Sequence, residues 1–199
     1  LSMNYKPILI VTGEPNSIFL EIFFKSLKKI KIKSPLILIT SEKLIKLQMA
    51  KLKFKKKIRL INKYNLKIQK LDNNYINIIN VNYNVSKAFE KISSKSNNYI
   101  KKCFEVAFEI IKENKLKKLI NGPINKKTFL NKNYLGMTEY ISDKFKVKKN
   151  AMLIYNKRIS VCPITTHLPL KLVAKKIKPN LIVDKVILIN NFYKTYLNK

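Results

Sequence analysis

The sequence predicts an α/β fold with a largely parallel sheet. Short runs of β-branched residues alternate along the chain with longer segments of helical periodicity, which is typical of repeated βα units. With 199 residues, the chain is long enough to bury the core of one medium-sized domain or parts of two. Its three glycines all lie in short motifs, so we expect special backbone positions there and regular elements elsewhere.

In the first half of the chain, apolar runs bounded by turn residues predict strands, and apolar residues at helical spacing predict helices. The predicted order is a strand at residues 8–12, a helix at 17–29, a strand at 36–40 and a helix that Ser41 caps. The lysine-rich stretch 51–70 fits either strands or a loop.

In the second half, a strand is predicted at residues 75–81 and a long helix at 97–114, where apolar side chains recur at helical spacing. A short strand at 119–120 leads into a turn at Gly122. Two further strands are predicted at 151–155 and 159–164, and a final helix is predicted at 182–197.

The chain is strongly basic, with 42 lysine and arginine residues against 11 acidic ones and a formal net charge of +31. Such a charge is typical of proteins that bind nucleic acid. However, only Arg59 and Arg158 are arginines, and the lysines are scattered along the whole chain. Both details favour codon drift toward lysine, asparagine and isoleucine as the cause, so nucleic-acid binding is not expected to be the main role. Weak, salt-sensitive binding to polyanions is expected.

The two cysteines, Cys103 and Cys162, are too few and too far apart for a disulfide framework or a CxxC metal site. No stretch approaches the roughly 18 apolar residues of a membrane span, and no signal-peptide pattern is found. We therefore expect a soluble, cytoplasmic protein without a membrane partner.

Two motifs follow predicted strands at the end where open α/β sheets bind their ligands. Gly13-Glu14-Pro15 fits a strand-to-helix turn, and it matches neither a P-loop nor a dinucleotide fingerprint. In Gly122-Pro123-Ile124-Asn125-Lys126, the side chains of Asn125 and Lys126 are candidate ligands for an anion. The alternative for this second motif is a turn followed by a solvated lysine.

The one histidine, His167, lies in Thr165-Thr166-His167-Leu168-Pro169-Leu170, after an apolar strand. It is a candidate metal ligand, and the alternative is a purely structural histidine. A catalytic divalent metal generally needs about three protein ligands. Any such site must therefore be completed from outside these residues.

Taken together, four motifs resemble those of the 4-hydroxythreonine-4-phosphate dehydrogenase (PdxA) family of vitamin B6 synthesis. They are GEP, GPINK, the G-x-T-E segment Gly136-Met137-Thr138-Glu139, and TTHLPL. The resemblance extends from about residue 7 to residue 199 and implies a three-layer α/β/α fold like that of isocitrate and isopropylmalate dehydrogenases. It implies a first subdomain at residues 1–123 and the start of a second at 124–199, incomplete at the C-terminus.

The resemblance also implies NAD- or NADP-dependent oxidation and decarboxylation of 4-phosphohydroxy-L-threonine to 3-amino-2-oxopropyl phosphate, a step toward pyridoxal 5'-phosphate. A divalent metal (zinc, magnesium or cobalt) and a homodimer are implied as well. His167 matches the first of three metal-binding histidines, and Thr138 matches a substrate-binding threonine. Lys126 is a further candidate for binding the phosphorylated substrate.

The chain departs from the family pattern at three places. Met137 stands where the family has a substrate-binding histidine, and a thioether cannot donate that hydrogen bond. Phe19 stands in a segment that is glycine-rich in the family. The family also continues beyond Lys199, where its other two metal histidines and several substrate ligands lie.

Three functional hypotheses follow. The first is a 4-hydroxythreonine-4-phosphate dehydrogenase, and the second is a related enzyme that acts on threonate or erythronate 4-phosphate. The third is a non-catalytic remnant that binds polyanions through its lysines. For the 199 residues alone, we expect little or no turnover, because one metal ligand cannot hold the ion in the required geometry.

Overall fold

The computed structural model describes residues 5–66, 71–130 and 133–197. Within it the chain forms two compact units, Leu1–Phe129 and Leu130–Lys199. The first unit contains all the strands of the described residues, and the second contains helices and connecting segments.

A five-stranded parallel sheet forms the centre of the first unit. Its strands are β1 (Ile8–Val11), β2 (Leu36–Thr40), β3 (Ile58–Leu60), β4 (Ile76–Asn80) and β5 (Leu119–Asn121). They lie in the order β3-β4-β2-β1-β5, and the register places Ile10 beside Leu38 on one side and Ile120 on the other. β2 is buried at every position, which requires cover on both faces of the sheet.

Helices supply that cover. On one face, α1 (Phe19–Lys29) and α2 (Glu42–Lys51) bury Phe24 and Ile45 in one cluster with Leu38 of the sheet. The long helix α3 (Asn97–Asn114) contacts β1 and β2. The side chains of these strands that lie outside that cluster, among them Leu9 and Ile37, are fully buried. The α/β fold class and its three-layer arrangement are therefore confirmed.

Local signals set most element ends in the first unit. Ser41 caps α2 by accepting a hydrogen bond from the backbone N–H of Leu44, as predicted. The predicted helix at 97–114 is found with the same bounds, and α1 begins two residues later than predicted, at Phe19. The ambiguous stretch 51–70 contributes β3 and a short 3-10 turn, Lys63–Asn65; residues 67–70 lie outside the described residues. A single short helix, α4 (Lys126–Phe129), follows β5.

In the second unit, the described residues form the helices α5 (Met137–Lys144), α6 (Leu170–Lys176) and α7 (Pro179–Phe192). A π-helical turn, Tyr193–Leu197, continues α7. The two strands predicted at 151–155 and 159–164 are wrong, because only one antiparallel bridge joins Ile154 and Val161. Both side chains are more than half exposed, so no layer packs on them to favour a regular strand. The predicted final helix begins earlier, at Pro179, and its regular part ends at Phe192.

Candidate functional site

The motif after β1 and the motif after β5 touch each other through their glycines. Gly13 has a positive φ of 73°, and a Cβ added there would lie 2.9 Å from the carbonyl of Gly122. A Cβ added at Gly122 would lie 2.7 Å from the carbonyl carbon of Thr12 and 2.9 Å from the Phe19 ring. Both glycines are therefore required by the close packing of these two segments against each other. The space beside each glycine is filled by the backbone of the other segment and by the Phe19 ring, so it is not open to a ligand.

Glu14 is a buried carboxylate that joins the β1 loop to the start of α3. It is 3% exposed; its Oε2 accepts a hydrogen bond of 2.7 Å from the Ser96 hydroxyl, and its Oε1 accepts one of 3.2 Å from the Asn16 backbone. The Glu14 backbone N–H donates to the carbonyl oxygen of Pro123. These contacts favour the structural interpretation of the GEP motif, as a turn that locks β1, β5 and α3 together.

A buried polar cluster lies behind this turn. The Thr12 hydroxyl is 3.1 Å from that of Thr40, which is 3.0 Å from the Tyr99 hydroxyl. The backbone N–H of Ser41 also donates to the Tyr99 oxygen. Burial raises the pKa of Tyr99 far above its ordinary value, so it remains a neutral phenol. The cluster satisfies the polar groups at the carboxyl ends of β1 and β2 without a ligand.

The second part of the GPINK motif begins the short helix α4. The side-chain oxygen of Asn125 accepts a hydrogen bond from the Thr128 backbone N–H. The backbone carbonyl oxygen of Asn125 accepts hydrogen bonds from the Phe129 N–H and the Thr128 hydroxyl. Lys126 is exposed. Asn125 is therefore used as a helix cap, whereas the Lys126 ammonium group forms no ion pair with any of the described residues.

In the second unit, the structure brings together two motifs that lie about 30 residues apart in sequence. A Cβ added at Gly136 would lie 2.7 Å from Nε2 of His167 and 2.9 Å from Oε2 of Glu139. Gly136 thus lets the histidine ring lie directly against the start of α5. His167 itself has a left-handed backbone, with φ of 57°, which is uncommon for a residue other than glycine.

Glu139 connects the two motifs by a hydrogen bond. Its Oε1 accepts a bond of 3.2 Å from the Thr166 hydroxyl, next to His167. Its Oε2 is buried and lacks a hydrogen-bond partner among the described residues. Glu139 was not among the site residues predicted from sequence. The chain has only 11 acidic residues, and Glu139 lies in a glycine-containing motif. This combination could have identified Glu139 as a site residue.

The two candidate substrate residues lie in the first turn of α5. Met137 and Thr138 are both half-buried and immediately follow Gly136. The structure therefore brings Met137, Thr138 and His167 into one region of the second unit, whereas Lys126 belongs to the first unit. No described side chain replaces the imidazole that Met137 lacks, because His167 is the one histidine of the chain.

The described residues do not form a complete metal site. No group of three or more His, Cys, Asp or Glu side chains within residues 5–66, 71–130 and 133–197 is arranged to hold a metal ion. His167 Nε2 and the unpaired Oε2 of Glu139 are the two potential ligand atoms near Gly136. Catalytic metal sites generally use about three protein ligands. Of the helices described, none is long and apolar enough to cross a bilayer.

Comparison with known proteins identifies the family. A family model described as pyridoxal phosphate biosynthetic protein PdxA matches residues 31–199. The chain belongs to the PdxA family. Among relatives, it is 30% identical over 195 residues to the 4-hydroxythreonine-4-phosphate dehydrogenase of Sulfurihydrogenibium sp. (strain YO3AOP1). That match covers 94% of this chain and 58% of the relative, so the chain spans little more than half of the relative's length.

Solved structures of 4-hydroxythreonine-4-phosphate dehydrogenases share the fold of this chain. The 4-hydroxythreonine-4-phosphate dehydrogenase of Klebsiella pneumoniae matches with a TM-score of 0.79 at 20% identity, over 96% of this chain and 59% of the other. The enzyme of Burkholderia phymatum matches with a TM-score of 0.77 at 20% identity, over 92% and 56%. The resemblance inferred from the four motifs is therefore confirmed at the level of family and fold.

Proposed function

We propose that the chain acts as, or within, a 4-hydroxythreonine-4-phosphate dehydrogenase of PdxA type. The observation that carries this proposal is the contact between the Gly136 motif and the His167 motif: Gly136 lies against the His167 ring, and Glu139 accepts a hydrogen bond from Thr166. In a member of this family, these are the segments that bear the expected substrate threonine and the expected metal histidine. Oxidation would use NAD or NADP, and decarboxylation would give 3-amino-2-oxopropyl phosphate.

The described residues would bind the substrate and one side of a metal ion. The Thr138 hydroxyl donates to or accepts from the phosphorylated amino acid at the start of α5. Lys126, in the first unit, is a separate candidate for binding a phosphate group. His167 supplies one nitrogen ligand to a divalent metal, which as a Lewis acid would polarise the substrate alcohol. Glu139 holds the His167 segment in place through Thr166. The remaining metal ligands are not among the described residues.

The test uses the protein as its natural source makes it, with its intact mass measured first. NADH formation is then followed with 4-phosphohydroxy-L-threonine and, in parallel, with threonate and erythronate 4-phosphates. We expect turnover with the amino acid and a loss of at least about a hundredfold in His167→Ala, in line with loss of a metal ligand. Preference for threonate or erythronate 4-phosphate would instead support the related-dehydrogenase hypothesis. Met137 motivates that hypothesis, because it stands at the position of a substrate-binding histidine of the family.

A mass near the 23.3 kDa of these 199 residues would lead to a different expectation. For that form we predict little or no turnover, and robust metal-dependent activity would contradict our account of the site. Absence of turnover combined with tight, salt-sensitive binding of nucleic acid would favour the non-catalytic remnant. The homodimer, the cytoplasmic location and the choice between NAD and NADP stay predictions.

A further inference from the structure

The first unit concentrates lysines at one edge of its sheet. In a parallel sheet the amino ends of all the strands lie at the same edge, together with the carboxyl ends of the helices that precede them. Segments 28–33, 51–57 and 112–118 precede β2, β3 and β5 and therefore lie at this edge. They contain 13 lysines and one acidic residue, Glu113. We call these three segments the amino-edge surface. Lysines that are scattered in sequence are thus brought together by the topology.

Contacts join the three segments to one another and to the sheet between them. The backbone N–H of Leu9 in β1 donates a hydrogen bond to the carbonyl oxygen of Lys118, which places segment 112–118 beside the start of β1. The ammonium group of Lys28 lies 5.5 Å from the centre of the Phe54 ring, which brings the end of α1 against the segment that follows α2. The basic surface is therefore continuous across the amino edge.

The lysines of the amino-edge surface are open to solvent. All of them are exposed except Lys56, which is half-buried. None of the ion pairs between described residues includes a lysine of segments 28–33 or 51–57. The positive charge of these two segments is therefore available to an anionic partner.

Neither codon drift nor helix capping accounts for this distribution. Codon drift acts along the whole chain, yet at the opposite edge of the sheet residues 12–18, 41–43 and 122–126 contain two lysines and two acidic residues. Lysines in the last turn of a helix stabilise it, but only four of the 13 lie in the last turns of α1, α2 and α3. The other nine lie in the connections that follow these helices.

We propose that the amino-edge surface binds the phosphate backbone of a nucleic-acid duplex, as a function additional to the proposed dehydrogenase activity. Four strand spacings of about 4.8 Å separate β3 from β5, so the surface is about 19 Å wide. A duplex presents about 11 phosphate charges over that length, since it carries one charge per about 1.7 Å of its axis. Because lysine contacts phosphate as a point charge and the surface contains no arginine, binding is independent of base sequence.

Two other polyanions fit this surface less well. Proteins bind single-stranded nucleic acid through exposed aromatic rings on which the bases stack, and the one aromatic residue of the three segments, Phe54, is 8% exposed. Binding to a membrane surface uses apolar side chains that enter the lipid, and Ile30 is the one large hydrophobic residue of these segments that is exposed. A duplex needs neither feature.

The test is fluorescence anisotropy of a labelled duplex of about 20 base pairs with the purified protein, over a range of salt concentrations around about 150 mM. Two duplexes of unrelated sequence should bind within about twofold of each other. The combined variant Lys31→Gln, Lys55→Gln, Lys118→Gln changes one exposed lysine in each segment. It should weaken duplex binding at least about tenfold and reduce the slope of log K against log salt by about 3.

A matched control removes the same charge at the opposite edge. Lys43, Lys87 and Lys95 are exposed and lie in the segments that follow β2 and β4. Strands of this length, at about 3.3 Å per residue, separate the two edges by about 15 Å, which is about two Debye lengths near physiological salt. The combined change of these three lysines to glutamine should therefore alter duplex binding less than about twofold.

Several results would overturn the proposal. They are equal weakening by the two triple variants, equally tight binding of a single strand of the same length, and absence of duplex binding by the parent protein. Binding to phosphatidylserine vesicles without binding to the duplex would instead identify a membrane surface. Circular dichroism confirms that the variants are folded. Because binding is measured without substrate or cofactor, its outcome is independent of whether dehydrogenase activity is found.

Discussion

The two units of the chain differ in how they bury apolar side chains. In the first unit the sheet and α3 contain side chains with no exposed surface, among them Leu9, Ile37 and Phe104. In the second unit α7 is rich in apolar residues, yet Val186 is 59% exposed and Ile187 is 51% exposed. The comparison shows that a regular pattern of apolar residues becomes a core only where a second layer packs on it. The first unit has that layer among the described residues, and the second does not.

The largest expected effect comes from matched isoleucines on the two long helices. Ile100 on α3 is 1% exposed, so Ile100→Ala should lower the free energy of unfolding by about 2–5 kcal/mol, because it leaves a cavity. Ile187→Ala on α7 should change it by less than about 1 kcal/mol. Urea unfolding followed by circular dichroism measures both. Equal losses would mean that α7 is covered in solution and would remove the contrast between the units.

A second comparison uses the glycines. Gly13→Ala places a Cβ against the backbone of Gly122 at a positive φ, and should destabilise the first unit by about 2 kcal/mol or more. Gly136→Ala meets the end of the His167 side chain, which can rotate away, so its cost should stay below about 1 kcal/mol. In NMR spectra, the ring protons of the one histidine should nevertheless shift. Unchanged His167 signals in Gly136→Ala would contradict the contact.

A smaller difference in stability is expected between substitutions of Glu14 in the first unit and Glu139 in the second. Glu14→Gln removes the charge from a buried group that accepts two hydrogen bonds, and should cost about 1–3 kcal/mol. Glu139→Gln weakens one bond of 3.2 Å at a half-buried site, and should cost about 0.5–1.5 kcal/mol. Thermal unfolding of both variants and of Thr166→Val would measure these effects. A larger loss for Glu139→Gln than for Glu14→Gln would reverse our ranking of the two sites.

The mildest probe is chemical, because each unit contains one cysteine. Burial raises the pKa of Cys103 to about 12, so almost no reactive thiolate is present near pH 8 or 9 in the folded first unit. Cys162, in the second unit, is partly exposed. A thiol reagent should therefore label Cys162 rapidly and Cys103 only as the first unit opens. Cys103→Ala serves as the control that assigns the fast phase, and rapid labelling of both thiols would contradict a closed core.

Sequence reasoning succeeded where a local pattern and its packing agree. The bounds of α3 and the Ser41 cap follow from helical spacing and from a side chain that satisfies its own helix end. It failed at residues 151–155 and 159–164, where apolar runs typical of strands have no neighbouring strand to pair with. β-propensity is a property of packing on a sheet, so it misleads where the sheet is absent.

For the candidate site, the sequence supplied the motif residues but not their partners. Gly13 and Gly122 were recognised as special, and only the structure shows that they meet each other instead of leaving room for a ligand. Glu139 and Thr166 each lie in a recognised motif, but their hydrogen bond joins residues 27 positions apart. No spacing rule predicts such a pairing.

The sequence by itself determined the α/β class, most elements of the first unit and, through four short motifs, the family. These properties depend on periodicity, turn residues and motif identity, which are local. Tertiary structure alone decided which motifs touch, which apolar runs are buried and which lysine-rich segments share one edge of the sheet. Those properties depend on long-range packing, since a side chain is buried or paired only when a distant segment is brought against it.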